Sequence, residues 1–221
     1  MKRAWVVGLG LWMMAIAPSG QAQQPKYHGA GVSQTSGIAY PINAQQPGFV
    51  SLDALVSSNG LLQSIVVVRD VPPLTDAAQG AVKSWQFTAA TLDGNGVPGL
   101  VRVNVVFNPY NPSGVGLPGE SLQPPQAEVV SDFQPAGLVK ANYAVYPPNT
   151  VVAGSVVLKI HVSAQGKVSN VAVLRGKDPL NAPSITAAKT WVFTPAMYKG
   201  KSVGSDVIVV FVYASPEAGT R

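Results

Sequence analysis

Apolar and polar residues alternate in several short runs of this chain, and the runs come in pairs. Val156, Leu158, Ile160 and Val162 alternate with Val157, Lys159, His161 and Ser163. In the same way Val50, Leu52, Ala54 and Val56 alternate with Ser51, Asp53, Leu55 and Ser57. A period of two with one apolar face predicts a half-buried antiparallel strand. Turn signals follow at Asn59-Gly60 and Gln165-Gly166, and Asn-Gly supplies the positive φ of a tight hairpin. A second strand is then predicted over Leu61–Arg69 and again over Lys167–Arg175.

The period changes to that of a helix next. Thr75 and Asn181 are good N-cap residues, and Pro183 falls within the first turn, where its missing N–H costs little. Ala78, Ala81, Val82 and Trp85 share one face by their i, i+3, i+4, i+7 spacing, as do Ser184, Ala187, Ala188 and Trp191. Trp85 and Phe87, with Trp191 and Phe193, are the expected structural core, since large aromatics dominate small cores. A last strand is predicted over Leu100–Phe107 and over Asp206–Tyr213. A helical crossover joins parallel strands, which leaves the first strand between the other two. The predicted fold class is therefore α+β. It consists of two tandem two-layer modules (ββαβ), each a three-stranded mixed sheet of order 2-1-3 with one helix on it. In that arrangement the last strand is an edge with unpaired backbone groups.

The pairing of the runs is a duplication. Tyr40-Pro41 recurs as Tyr146-Pro147, Gly60 as Gly166, Arg69 as Arg175 and Gly94 as Gly200, all at one offset of 106 residues. Lys83-Ser84-Trp85-Gln86-Phe87-Thr88 recurs as Lys189-Thr190-Trp191-Val192-Phe193-Thr194 at that same offset. A constant offset across so many matched positions marks a tandem repeat. Around the repeats the chain divides into a signal (1–22), a flexible N-terminal segment rich in Gln and Gly (23–38), repeat 1 (39–108), a Pro/Gly-rich linker (109–135), repeat 2 (136–214) and a tail (215–221). The signal reading rests on the basic Met1-Lys2-Arg3, the uncharged apolar stretch Ala4 to Ala17 and small residues at Gly20 and Ala22. That run is shorter than a spanning helix needs, so cleavage after Ala22 is expected.

Composition narrows the chemistry. With no cysteine among 221 residues, disulfides, thiolate metal sites and a cysteine nucleophile are excluded. Loss of Lys2 and Arg3 with the signal would bring the formal charge from +5 to +3. That is too small, and too little clustered, to argue for nucleic acid. The charge is uneven: Tyr40–Phe107 sums to −1 and Tyr146–Tyr213 to +5. No phosphate loop, His-Glu-x-x-His or Gly-x-Ser-x-Gly stands in the chain. His161 lies on a polar strand face and His28 far from it, short of the three or four converging ligands of a metal site. The expectation is a protein that is not an enzyme, with no catalytic residues, no metal and no cofactor.

The run from Tyr146-Pro147 through Gly166-Lys167-Val168 and Trp191-Val192-Phe193-Thr194-Pro195-Ala196 to the Val-rich stretch ending at Tyr213 resembles the TonB C-terminal domain family. The first copy follows the same pattern more loosely, with Ala89 where Pro195 stands. The resemblance implies a periplasmic, protein-binding domain that pairs its last strand with a segment of an outer-membrane receptor by strand addition. It points to Asp206, Val207, Ile208, Val209, Val210, Phe211, Val212 and Tyr213 as the partner-binding edge, matched by Leu100–Phe107 in the first copy. Energy-transducing members keep an inner-membrane helix with a Ser…His motif and a long Pro-rich spacer. Residues 1–22 hold no histidine, and the linker lacks that spacer. The leading expectation is thus a periplasmic adaptor that captures a peptide of a receptor or other envelope protein. One alternative is a TonB-type transducer for outer-membrane transport, anchored in the inner membrane by an uncleaved N-terminus. The other is a structural module that pairs edge to edge, within the chain or as a homodimer.

Overall fold

The computed structural model describes residues 26–44, 46–111, 113–122 and 132–215; the expected signal and most of the expected tail lie outside them. The first half holds β1 (Tyr27–His28), β2 (Gly31–Gln34), β3 (Gly48–Val56), β4 (Leu62–Arg69), α1 (Leu74–Val82), β5 (Gln86–Thr88), β6 (Ala90–Leu92), β7 (Asn95–Val97) and β8 (Gly99–Asn108). A two-residue strand, β9 (Glu120–Ser121), lies between the halves. The second half repeats the series: β10 (Phe133–Gln134), β11 (Leu138–Ala141), β12 (Gly154–Val162), β13 (Val168–Arg175), α2 (Asn181–Ala188), β14 (Val192–Phe193), β15 (Ala196–Tyr198), β16 (Lys201–Val203) and β17 (Ser205–Tyr213). The architecture is α+β, mostly strand with two helices.

The long strands do not form two separate three-stranded sheets. They form one six-stranded sheet of order β13-β12-β17-β8-β3-β4. At its centre β17 pairs with β8 in parallel, from Ile208↔Val103 to Tyr213↔Asn108. Each half reads outward from this seam as last strand, first strand, second strand. The halves are therefore related by an approximate two-fold axis along the strand direction. Such a rotation turns the sheet over, so the helices lie on opposite faces. On the face of α1 one core gathers Val50, Leu52, Val103 and Val105 together with Ile208 and Val210. On the face of α2 the other core gathers Leu158, Ile160, Val207, Val209 and Phe211 together with Phe49 and Val106.

This arrangement corrects the half-buried reading of the strands. Every residue of β8 is buried, and in β3 all but Leu55 are. The polar alternation in β3 is real, but its polar face is covered by the N-terminal part of the second half instead of water. The short strands also extend the repeat upstream. β1 pairs with β6 as β10 pairs with β15, and β2 pairs with β5 as β11 pairs with β14. The segment expected to be flexible (23–38) thus contains two strands from Tyr27 on, and the expected linker ends in β10. Apolar Ala30 and Ile38 anchor the first stretch in the core.

Local details differ as well. Thr75 and Asn181 do not cap the helices. Thr75 Oγ1 accepts the Val71 N–H at 2.8 Å, and Asn181 Oδ1 accepts the Lys177 N–H at 2.7 Å. Each lies inside the first turn and braces the loop that leads into it. Trp85 and Trp191 stand just past the helix ends, where their N–H groups bond the carbonyls of Val82 and Ala188. At the hairpins only the glycine takes positive φ, Gly60 at 81° and Gly166 at 78°, and Asn59 does not. The turns are closed instead by Ser57 and Ser163, whose hydroxyls accept two backbone N–H groups each.

A Cβ on Gly166 would run into the carbonyl of Phe193, whereas one on Gly200 meets open space. Both residues have left-handed φ, which costs an L-residue about 1–2 kcal/mol. Gly166→Ala is expected to lose that and a further clash term, Gly200→Ala only the first. Urea unfolding of the two variants checks the order.

Candidate functional site

The stretch Asp206–Tyr213 is not an edge. It lies within β17, which pairs with β12 on one side and with β8 on the other. The matching stretch Leu100–Phe107, in β8, is flanked by β3 and β17. The expectation of a docking edge there is overturned because the duplicated copies satisfy each other's unpaired backbone. From Val207 to Tyr213 every side chain is buried.

The free edges are the second strands. Among the described residues β4 pairs only with β3, and β13 only with β12. Both carry apolar side chains into solvent: Val66 and Val67 on β4, Val173 and Leu174 on β13. Neither strand contains Pro or Lys, two of the devices that blunt a sheet edge.

Behind the edges, the residues expected as core are buried: Trp85, Phe87, Trp191 and Phe193. The two tryptophans differ in what they hold. Trp85 Nε1 donates to the Ser36 hydroxyl at 3.2 Å. Trp191 Nε1 donates to the Asn142 carbonyl at 3.0 Å, and its ring packs on Phe211 and on Phe49 of the other half.

A buried ion pair of the first half lies against the second. Arg102 Nε and Nη2 each donate to an oxygen of Asp53 at 2.6 Å, with side chains 1% and 7% exposed. The same guanidinium reaches the Ala136 carbonyl across the boundary at 3.4 Å. Beside it Ser51 donates to Asn104 Oδ1 at 2.7 Å. The second copy has Lys159 and Ile208 at the corresponding positions, so this cluster is where the repeat breaks. Directly facing Asp and Arg in apolar strands were the signal for it, hidden by the assumption that their face was wet. The second copy's His161 instead lies in the open, 2.8 Å from Asp206 across the strand pair. Among the described residues no group of three or more His, Asp or Glu side chains converges as a metal would require.

Several phenols are protected by the packing. Burial, with Tyr198 alongside, pushes Tyr27 up to about 12. Burial and a hydrogen bond to the Glu120 carboxylate hold Tyr143 well above the ordinary value, and burial outweighs the Ser184 bond for Tyr213. An unfolded phenol loses its proton near pH 10, while the folded Tyr27 keeps it to about pH 12. The folded state then binds more protons between those values, so its stability is fully present below pH 10 and falls as pH rises through the window. Urea midpoints at pH 8, 10 and 11.5 are expected to drop only above 10.

The described residues form a duplicated α+β module with helices on opposite faces and two open edges of the main sheet. The family model of the Gram-negative bacterial TonB protein C-terminal matches residues 37–109 and 145–214, one segment in each half and well over half of the chain together. The chain belongs to the TonB C-terminal family, as two tandem copies. This is a family of non-enzymatic periplasmic domains of envelope transport and protein interaction. No curated protein and no solved structure matches the chain.

Proposed function

We propose that this chain is a periplasmic protein-binding module that takes up an extended segment of an envelope protein, such as an outer-membrane receptor, by strand addition at β4 and β13. The observation that carries this reading is the seam. With both last strands consumed at the centre of the sheet, the unpaired backbone along the main sheet lies on the outer strands, which are apolar and unguarded. Strand addition needs such an edge, with backbone bonds for affinity and alternate side chains for selectivity. The expected location is the periplasm, reached by cleavage after Ala22. A mass beginning at Gln23, measured on protein from the envelope of its own host, tests that step and separates it from an anchored transducer.

The binding reading is tested by placing a photo-crosslinking amino acid at Val66, Val173 and Val209. Crosslinks to one envelope protein from Val66 or Val173, lost when Val67 or Val171 is replaced by proline, are the expected result. Crosslinks only to a second copy of the chain would favour the structural, edge-to-edge reading instead. Val209 faces α2 and is expected to stay silent towards other proteins.

A further inference from the structure

The approximate two-fold axis makes the two halves comparable position by position, and at one place they differ by a whole strand. In the second half, β11 has a neighbour on each side, β14 and β9. In the first half, the corresponding β2 has, among the described residues, only β5. The additional strand, β9, comes from the segment between the halves. It pairs antiparallel with β11 as Lys140↔Ser121 and Ala141↔Glu120, and Leu122 N–H bonds the Val139 carbonyl at 2.6 Å. Its carboxylate is held at both oxygens. Glu120 accepts from Arg69 of the other half at 3.2 Å and from the Tyr143 hydroxyl at 2.6 Å. Arg69 is itself fixed by donating to the Phe49 carbonyl at 2.9 Å.

Carrying this arrangement across the axis replaces Arg69 by Arg175, Lys140 by Gln34 and Ala141 by Thr35. These residues are together in the structure. Val32, Ser33, Gln34, Thr35, Leu174 and Arg175 line an open groove of about 330 Å³. Arg175 is exposed and has no carboxylate within ion-pair distance among the described residues. Tyr143 corresponds to Gly37, so the guanidinium is the one cation or hydroxyl of the original pair that is retained.

We propose that the free edge of β2 is a second peptide-binding site, which takes an extended segment of another polypeptide with an acidic residue opposite Thr35 and its carboxylate on Arg175. The chain carries its own template for the complex in Gly119-Glu120-Ser121-Leu122. The register follows from that template: acidic residue opposite Thr35, small residue opposite Gln34, apolar residue opposite Ser33. Backbone pairing supplies the shape of the site, and the charge-assisted bond to Arg175 selects the acidic residue. The site shares its mode with the strand addition proposed for β4 and β13 but pairs on β2, with β13 supplying only the side chains of Leu174 and Arg175; binding at β4 can hold without it.

The probe is a blocked peptide of residues 117–122, titrated into the full chain while backbone amide resonances are followed. Shifts centred on residues 32–35 are expected. Arg175→Gln, an exposed substitution, should weaken binding about ten-fold, and Glu→Gln in the peptide should do the same, while Arg69→Gln leaves this titration unchanged. Shifts centred on residues 138–141 with sensitivity to Arg69 would mean that the peptide merely displaces β9, and would overturn the proposal. So would affinity indifferent to Arg175, no binding at millimolar peptide, or occupation of β2 by a second copy seen as dimerisation in sedimentation. None of these outcomes alters the crosslinks expected at Val66, since β4 contributes no residue to this groove.

Discussion

Asp53→Ala is expected to cost about 3–5 kcal/mol of unfolding free energy, because it leaves the guanidinium of Arg102 buried with no counter-charge. Arg102 lies 1% exposed in a fully buried strand, and both of its short bonds go to Asp53. The Ala136 carbonyl at 3.4 Å is the partner that remains, and it carries no full charge. The pair itself is a different matter. Desolvating two ions offsets most of their attraction, so replacing both by leucine is expected to be near neutral or stabilising. A double-mutant cycle in urea therefore has a distinctive shape, with a severe single variant and a mild double one. A severe double variant would mean that the pair contributes net stability beyond mutual compensation. The second copy has an apolar residue, Ile208, at the position matching Arg102.

Trp191→Ala is expected to lose about 3–5 kcal/mol, the range for deleting a large buried aromatic, and to lose more than Trp85→Ala. Both side chains are almost fully buried, so burial alone does not separate them. Their neighbours do. Trp191 stacks among Phe193, Phe211 and, from the first half, Phe49. Truncation opens a cavity at a point where three parts of the chain meet. Among the described residues Trp85 has no such ring contact across the boundary, and its polar end rests on Ser36. Denaturation followed by circular dichroism compares the two. Equal losses would mean that the Phe49 contact adds nothing measurable to the burial of Trp191.

Asp53→Ala and Trp191→Ala probe the same fact on one face of the sheet, the face of Phe49 and Val106 that the second half covers. The copies are not beads on a string but one sheet with two unequal covers. A pair of matching last strands, each in need of a neighbour, found that neighbour in the other. Backbone groups left bare in an edge cost little in water but form a ready template for pairing. A tandem duplication places such a template close by at high effective concentration. The same event that closes the centre opens the question of what binds, since it moves the free backbone to β4 and β13.

Much of this was legible in the residues. The period-two runs placed β3, β12, β8 and β17, the glycines at 60 and 166 placed the hairpin turns, and Trp-x-Phe-Thr at a constant offset established the duplication and the family. These are local properties: side-chain alternation, backbone freedom at glycine and burial of aromatics act within a few residues of the chain. Thr75 and Asn181 show the limit even locally, since a side chain able to cap a helix was equally able to brace the preceding loop.

The pairing of β17 with β8, by contrast, is a contact between stretches more than a hundred residues apart, and nothing in either stretch distinguishes a strand that ends a sheet from one that joins two. An alternating strand reads the same with water or with protein over its polar side, so Asp53 and Arg102 looked exposed until the second half was laid over them. By itself the sequence determined the elements, their order and the duplication. Only the tertiary structure decided which edges remained free, because hydrogen bonding of a backbone is satisfied by whichever strand arrives, whatever its sequence.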